Sequence, residues 1–253
     1  QLNSTHGISS AASDGFKRQP VLDVMNAIRA EQWLHLHPET PADKAAQIKA
    51  QMLAAFYTDT DAWKGQIISQ ARQSMFQAVD AQLGRISALV NNAGVVDRAQ
   101  PVAEQSVARW RRMFDINVIG SLLCAREAVR RMGTAYGGTG GSIVNLSSAA
   151  ARLGSPNEYV DYAAAKAAID AFTIGLAKEV APQGIRVNAV RPGLIDTEIH
   201  ASGGRPNRVE ELKAGVPMGR GGTADEVAQL IVWLLSDAAS YTTMSLIDVS
   251  GAR

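Results

Sequence analysis

Hydrophobic residues follow a helical spacing in the first third of the chain, with no clear strand-like pattern. The apolar positions that share a helical face are Val21, Val24, Met25 and Ile28 in one stretch and Ile48, Met52, Leu53 and Phe56 in another. Thr40 before Pro41 is typical of a helix start, because Thr caps free amide groups and Pro fits the first helical position. The pattern predicts an atypical helical segment over residues 1–72, with irregular coil in residues 1–20. The pattern does not indicate a function for this segment.

From about residue 73 onward, short apolar runs alternate with longer amphipathic stretches. The predicted strands are Ser87–Val90, Ser142–Leu146, Ile185–Val190 and Leu246–Val249. The predicted helices are Ser74–Gly84, Gln105–Met132, Glu158–Val180, Pro206–Ala214 and Asp225–Leu235. This alternation predicts an α/β fold with a parallel sheet and helices on its faces. We therefore divide the chain into residues 1–72 and residues 73–253.

The composition argues against several classes of function. The formal net charge is +1, with 25 basic and 24 acidic residues, so no electrostatic feature indicates nucleic acid or an anionic membrane as a partner. No apolar run is long enough to span a bilayer. Cys124 is the single cysteine, which excludes an intrachain disulfide and favours a reducing, cytoplasmic location. Because the sequence begins with Gln, we expect a fragment or a processed product.

Two patterns could be mistaken for ligand sites. His35 and His37 alternate as zinc ligands can, but no neighbouring residue completes a ligand set, and a polar helix end before Pro38 is the simpler interpretation. The glycines of G-G-T-G-G at 137–141 could cradle a phosphate, but such a loop should open a helix. A strand-like run follows instead, so we interpret the loop as a connector and predict no metal site.

The most informative candidate chemistry lies between Ser147 and Lys166. Tyr162 and Lys166 are four residues apart in a predicted helix, so their side chains share one face. A nearby ammonium group favours the phenolate, which predicts that Tyr162 serves as a general acid and base nearer to neutral pH. Ser148 ends a predicted strand, where its hydroxyl could bond a carbonyl or alcohol oxygen held by Tyr162.

Five short motifs occur in a characteristic order. They are N-N-A-G at 91–94, N-V-I-G at 117–120, S-I-V-N-L-S-S at 142–148, Y-A-A-A-K at 162–166 and R-P-G-L-I-D-T at 191–197. Together they resemble the short-chain dehydrogenase/reductase family over about residues 73–253, although each motif alone is weak. The resemblance implies a partial Rossmann-like sheet, NADP or NAD as cofactor, and a homo-oligomer. It also implies hydride transfer to or from a small carbonyl compound or secondary alcohol.

The resemblance implies roles for individual residues. Ser148 would orient the substrate, and Tyr162 would protonate the developing alkoxide. Lys166 would also bind the nicotinamide ribose, and Asn117 would hold a water that relays protons. The implied cofactor-binding residues are Asn91, Ala93, Gly94, Tyr162, Lys166, Pro192, Gly193, Ile195 and Thr197. The spacing from Ser148 to Tyr162 is one residue longer than the commonest family spacing, which keeps Ser147 open as a substitute.

Other parts of the chain depart from the family pattern. The family begins with a strand, a Gly-rich turn and a helix that hold the cofactor pyrophosphate. The only glycines before residue 73 are Gly7, Gly15 and Gly65. We therefore expect weakened cofactor binding and an exposed edge at the strand that ends at Val90. Met244 and Ala252 stand where the family usually has glycine, and Glu198–Arg220 would form a substrate lid.

The N-terminal segment carries a second resemblance, of low specificity. The stretches R-A-E-Q-W-L-H-L-H at 29–37 and I-K-A-Q-M-L-A-A-F-Y-T-D-T-D-A-W-K at 48–64 are similar to the tail of a carboxypeptidase-like family of unknown function. That family's metal ligands lie upstream of this tail, so no peptidase activity is implied. Three hypotheses remain: an oxidoreductase, a truncated or chimeric relative without effective cofactor binding that is inactive or serves interactions, and a zinc hydrolase remnant.

Overall fold

A four-stranded parallel sheet lies at the centre of the part of the chain that the computed structural model describes, residues 73–82 and 84–253. Its strands are neighbours in chain order: β1 (Ala88–Asn91), β2 (Gly141–Leu146), β3 (Ile185–Pro192) and β4 (Leu246–Val249). Each predicted strand is present with nearly the predicted bounds. The chain divides into two compact units, Gln1–Met75 and Phe76–Arg253, and the second contains the whole sheet.

Several predictions concern residues outside the described ranges. They are the N-terminal helices, the paired histidines, the scattered glycines and the stretches similar to the carboxypeptidase-like family.

Helices connect the strands and cover the sheet. The α-helices are α1 (Val107–Phe114), α2 (Gly120–Met132), α3 (Ala150–Leu153), α4 (Val160–Val180), α5 (Ile199–Ser202), α6 (Arg208–Leu212) and α7 (Ala224–Leu235), and residues 73–82 are also helical. Short 3-10 turns cover Val102–Glu104, Thr134–Tyr136, Ala181–Gln183, Lys213–Gly215 and Asp237–Ala239. Side-chain capping explains why α7 begins where it does. The Thr223 hydroxyl accepts a hydrogen bond from the main-chain amide of Glu226, and the Glu226 carboxylate accepts one from the main-chain amide of Thr223.

Successive residues of the strands belong to two separate hydrophobic clusters. The cluster on one face contains Ala128, Met132, Ile143, Ala177, Val180, Ile185 and Val187, from α2, α4 and the two central strands. The cluster on the other face contains Val144, Leu146, Val190, Ile195, Val227 and Leu234, and α7 contributes to it. Neighbours such as Ile143 and Val144 point to opposite faces, as the period of a strand requires. This arrangement confirms the predicted α/β fold with helices on both faces of a parallel sheet.

Strand β1 is the exposed end of this sheet. Among the described residues it pairs with β2 alone. Val90 retains 39% of its accessible surface, although it lies in the middle of an apolar strand. Asn91, at the end of the strand, is buried. The strand therefore combines an exposed edge with an inward-facing polar end.

The predicted helix Gln105–Met132 is interrupted in the structure. It consists of α1, a π-helical turn over Asp115–Ile119, and α2. Ser106 caps α1 by accepting a hydrogen bond from the amide of Arg109. A π-helical turn places an extra residue in the helix, and such turns are frequent at functional sites. Here the turn carries Asn117, one of the predicted site residues.

The lid region departs from its predicted shape. The predicted helix Pro206–Ala214 is shorter, since α6 gives way to the 3-10 turn Lys213–Gly215. The four-residue helix α5 was not predicted. Strong local signals for these elements are lacking, because neither carries a side-chain cap.

Met244 and Ala252, which replace the family's usual glycines, both have a left-handed backbone. Their φ angles are 63° and 70°. A Cβ atom makes this conformation costly, by about 1–2 kcal/mol, whereas glycine adopts it readily. Two residues other than glycine therefore adopt a conformation that favours glycine, at the positions where the resemblance implied one.

Candidate active site

The side chains of Ser148, Tyr162 and Lys166 meet beyond the carboxyl end of β2. Ser148 follows the strand, and its Oγ accepts a hydrogen bond from the amide of Ala150 (3.1 Å), while hydrogen bonding by this hydroxyl acts to lower the pKa of the Tyr162 phenol. Tyr162 and Lys166 lie one turn apart on α4, and Lys166 Nζ is 5.6 Å from the centre of the Tyr162 ring. The three residues predicted to work together therefore share one location.

Ser147 does not take the place of Ser148. Its side chain is buried, and its Oγ donates a hydrogen bond to the main-chain oxygen of Lys166 (3.1 Å). This bond ties the end of β2 to α4. Ser147 therefore braces the helix, and Ser148 is the serine that reaches Tyr162.

Lys166 is buried and anchored. It is 4% exposed, and its Nζ donates a hydrogen bond to the main-chain oxygen of Leu146 (2.7 Å). Burial lowers the pKa of Lys166 to about 8, although the carboxylate of Asp170, one turn further along α4, opposes this shift. The ammonium and neutral amine forms of Lys166 are therefore both accessible near neutral pH.

Tyr162 has a different electrostatic environment from the predicted one. Burial raises the pKa of its phenol above the ordinary value, and the hydrogen bond from Ser148 opposes that rise. The predicted lowering by Lys166 is not observed in the structure, because desolvation dominates and the amine is directed to Leu146. Without a bound ligand, Tyr162 is therefore a protonated phenol at neutral pH.

Asn117 locks the loop that follows β1. Its side-chain oxygen accepts a hydrogen bond from the amide of Val95 (2.9 Å), and its Nδ2 donates to the Val95 carbonyl (3.0 Å). The residue is 1% exposed. Its side-chain amide thus forms direct hydrogen bonds with the backbone, and the implied role of Asn117 in holding a relay water stays a prediction.

Gly94 lies where these groups converge. A Cβ atom at this position would lie 2.8 Å from Asn117 Oδ1 and 3.4 Å from Lys166 Nζ. A side chain would therefore collide with the amide and fill the space beside the ammonium group. The absence of a Cβ keeps this space open for a ligand that approaches the backbone.

Asn91 belongs to a buried chain of polar side chains. Its Nδ2 donates to Asn145 Oδ1 (2.8 Å), and Asn145 Nδ2 donates to the Thr173 hydroxyl (2.9 Å). These bonds join β1, β2 and α4 below the site. Any contact of Asn91 with a cofactor would come from its main chain. Sequence reasoning missed Asn145 and Thr173, although the N within S-I-V-N-L-S-S is a polar residue in an otherwise apolar strand.

The loop after β3 carries the remaining predicted cofactor-binding residues. Gly193 is required by packing, since a Cβ there would lie 2.7 Å from Ser250 Cα. The main-chain oxygen of Ile195 accepts a hydrogen bond from His200 Nε2 (2.7 Å). Pro192 ends β3, and Thr197 is exposed at the beginning of the lid. His200 was not singled out from the sequence.

An ion-pair cluster connects the lid to the segment just before α4. Arg205 and Arg208 both pair with the Glu158 carboxylate, and Arg208 also lies over the Tyr159 ring, 4.9 Å from its centre. Burial acts to raise the pKa of Glu158, but the two guanidinium groups together bring it below the ordinary value. No local pattern in the sequence indicates this cluster, because Glu158 is 47 and 50 residues away from its two arginine partners.

Other features bear on the classes of function that were considered. Within residues 73–82 and 84–253, no three His, Cys, Asp or Glu side chains group together as metal ligands. None of the helices in these ranges is both long enough and apolar enough to cross a bilayer.

The fold and this arrangement of residues define a class of protein. A family profile described as "Enoyl-(Acyl carrier protein) reductase" matches residues 30–251. With the relatives described next, this match shows that the chain belongs to the short-chain dehydrogenase/reductase family of oxidoreductases.

Individual relatives are similar to the chain over about seven-tenths of its length. "Uncharacterized oxidoreductase YgfF" of Escherichia coli (strain K12) is 58% identical over 180 residues, which cover 71% of this chain and 73% of that protein. "Cis-4-hydroxycyclohexanecarboxylate dehydrogenase" of Sinomonas cyclohexanicum is 40% identical and covers 68% and 67%, respectively. The crystal structure of a short-chain type dehydrogenase/reductase from Mycobacterium marinum has a TM-score of 0.68 at 33% identity, covering 72% of this chain and 70% of that one.

Proposed function

We propose that the protein is an NAD(P)-dependent oxidoreductase that interconverts a small carbonyl compound and the corresponding secondary alcohol. The observation that carries the proposal is the convergence of Ser148, Tyr162 and Lys166 beside the open space at Gly94. A phenol, a hydroxyl and an amine at the carboxyl ends of parallel strands suit proton transfer to an oxygen held between them.

Each residue has a distinct part in this proposal. Ser148 donates a hydrogen bond to the substrate oxygen and orients it. Tyr162 holds the proton at Oη and delivers it to that oxygen, or accepts it in the reverse direction. Lys166, whose Nζ lies 5.6 Å from the ring centre, would in its ammonium form stabilise the phenolate that remains after the proton has left, against the desolvation that raises the pKa of the phenol without a ligand.

The residues present fit the nicotinamide half of a dinucleotide. Gly94 leaves room against the backbone, and Lys166 offers a buried donor for ribose hydroxyls. Ile195 and Thr197 belong to the loop after β3 and would contact the nicotinamide from it. When bound, the nicotinamide would supply or accept the hydride. The expected lack of a Gly-rich pyrophosphate turn concerns residues outside the described ranges, and we propose NADP or NAD without choosing between them.

Titration with cofactor tests this proposal. NADPH and NADH are added separately to the purified protein, and binding is followed by the fluorescence of the nicotinamide. We expect saturable binding of at least one of them, followed by its oxidation when a carbonyl compound is added. Cyclic keto acids are a reasonable first choice, because one relative is a cis-4-hydroxycyclohexanecarboxylate dehydrogenase. If neither cofactor binds at millimolar concentration, the proposed function is wrong.

We further propose that the protein is a homo-oligomer located in the cytoplasm. Support for self-association comes from large apolar side chains that remain exposed on the described helices. They include Val107 and Ile119 around α1 and the π-helical turn, and Val232 and Trp233 on α7. Light scattering coupled to size-exclusion chromatography should give a mass that is a multiple of the 26.9 kDa chain, and a single-chain mass would contradict the proposal.

A further inference from the structure

A buried ion pair holds the residue next to Tyr162. Arg109 on α1 contacts both oxygens of Asp161, with Nε at 2.7 Å from Oδ2 and Nη2 at 3.1 Å from Oδ1. The two side chains are only 8% and 2% exposed. Two parallel hydrogen bonds from a guanidinium group to a carboxylate fix both distance and orientation.

The same guanidinium group binds a third part of the chain. Arg109 Nη1 donates to the main-chain oxygen of Arg98 (2.7 Å) and to Gln100 Oε1 (3.3 Å). The main-chain amide of Gln100 in turn donates a hydrogen bond to the main-chain oxygen of Glu158 (3.0 Å). Arg109 thus joins α1, the loop that follows β1 and the first turn of α4.

The location of this pair matters because the site is assembled from separate elements. Ser148 follows β2, whereas Tyr162 lies in the first turns of α4. The first turn of a helix frays most easily, because its amide groups have no partners within the helix. The position of the Tyr162 phenol relative to Ser148 is therefore set by how this turn is held against the sheet.

We propose that Arg109 and Asp161 are positioning residues that hold the Tyr162 phenol in hydrogen-bonding contact with Ser148. Neither side chain touches the reacting atoms. The pair fixes the first turn of α4 against α1 and the loop after β1, so its loss displaces the phenol while leaving the sheet intact. The catalytic consequence rests on the proposed function, but the geometric consequence can be measured without cofactor or substrate.

Turnover tests the catalytic consequence. Asp161→Asn and Arg109→Met should each lower kcat by roughly 10- to 100-fold, because a displacement of about 1 Å at a reacting group has this effect. Arg109→Lys retains the charge but loses the two-point contact, and should give an intermediate kcat. The cofactor Kd should change little in all three variants.

Arg112 provides a matched control. It lies on the same helix and pairs with Asp97 of the same loop (3.1 Å), and within the described residues it forms no hydrogen bond or ion pair with α4. Arg112→Met should therefore keep kcat within about twofold of the wild-type value, as expected for a partly solvated pair. If Arg109→Met affects kcat no more than Arg112→Met, the assignment is wrong.

Fluorine NMR tests the geometry directly. The five tyrosines are replaced by 3-fluorotyrosine, whose lower intrinsic pKa allows titration while the protein is folded, and Tyr162→Phe identifies the resonance of residue 162. Asp161→Asn and Arg109→Met should both raise the pKa of that phenol, because both weaken its bond with Ser148. A direct effect of charge alone predicts opposite shifts, since one variant removes an anion and the other a cation.

The titration is decisive whether or not the wild-type protein turns over a substrate. Upward shifts in both variants support the positioning role. Unchanged or opposite shifts overturn it. If Asp161→Asn does not fold, as judged by circular dichroism, Arg109→Lys takes its place, and an unchanged pKa there overturns the proposal. A wild-type protein that neither binds nor oxidises the nicotinamides would refute the proposed function without affecting this result.

Discussion

At the scale of single residues, Lys166 is a buried base whose charge changes near neutral pH. Burial lowers its pKa from the ordinary 10.5 to about 8 in the folded protein. Between these two pH values the unfolded chain binds more protons at this position than the folded chain. Linkage therefore requires that the contribution of Lys166 to stability rises with pH across this window.

The variant Lys166→Met isolates this contribution. The free energy of unfolding of the wild-type protein minus that of the variant should increase between pH 8 and 10.5, by at most about 1.4 kcal/mol per pH unit. Urea denaturation at several pH values measures the difference. A difference that stays flat or falls over this range would contradict the burial of a charged amine.

Gly94 and Gly175 give opposite predictions for the same substitution. Gly94→Ala places a Cβ 2.8 Å from Asn117 Oδ1, whose amide is fixed by two bonds to Val95. We expect it to destabilise the fold by about 1–3 kcal/mol. Gly175→Ala, in the middle of α4 with nothing within 4 Å of the new atom, should stabilise by about 0.5–1 kcal/mol. Thermal denaturation of both variants measures the two changes in stability. Equal changes in the two variants would show that the space at Gly94 is not constrained.

Sequence reasoning was most informative at this scale where short-range spacing decides the geometry. Tyr162 and Lys166 share a face because they are four apart in a helix, and the structure places them together. It was least informative for electrostatics. The pKa of Tyr162 depends on desolvation by the whole surrounding fold, and no local motif encodes that quantity.

At the scale of elements, ion pairs join Glu198–Arg220, the predicted lid, to Glu158 just before α4. Glu158 accepts from Arg205 and Arg208, and all three side chains are partly solvated. Such pairs contribute little to global stability, about 0–1 kcal/mol each, but they can determine whether a short surface segment stays closed. The lid is therefore expected to open without unfolding of the sheet.

Glu158→Gln should release the lid. Trypsin cleaves after Arg and Lys, so we expect faster cleavage at Arg205, Arg208 and Lys213, with a free energy of unfolding within about 1 kcal/mol of wild type. Added salt should accelerate cleavage of the wild-type lid and have less effect on the variant, because screening weakens the same pairs. Glu210→Gln, which removes an exposed pair within the lid itself, is the control. Equal cleavage rates in all three proteins would contradict the expectation that Glu158 keeps the lid closed.

The elements show why prediction succeeded for strands and failed for the lid. Strands β2 and β3 are short stretches rich in Ile and Val, bounded by glycine or proline, and these local signals identify them. Helices α5 and α6 have no side-chain caps and are held by contacts with Glu158 and with the loop near Val96. Contacts of this range leave no periodic signal in the sequence.

At the scale of the whole molecule, the family fold accounts for residues that have no chemical role. The buried amides of Asn91 and Asn145 and the hydroxyl of Thr173 link two strands and a helix beneath the site. The hydroxyl of Ser147 links the same strand to the same helix. These bonds give Ser148, Tyr162 and Lys166 a rigid support, which precise positioning requires.

The family and the α/β class could be predicted from the order of five motifs, because each motif marks the end of a strand or the face of a helix. The ion pair between Arg109 and Asp161 could not be predicted, because 52 residues separate them and no sequence motif links the two positions. The helical structure of the first 72 residues stays a prediction, as does the weakened cofactor binding that was inferred from them.

The central claim is that Tyr162 transfers the proton in a nicotinamide-dependent reaction. The most direct measurement compares turnover and cofactor binding of the wild-type protein, Tyr162→Phe and the exposed control Tyr136→Phe. We predict that Tyr162→Phe lowers kcat by roughly 10²- to 10⁴-fold with the cofactor Kd unchanged, and that Tyr136→Phe behaves as the wild type. Turnover by Tyr162→Phe at the wild-type rate would contradict the account.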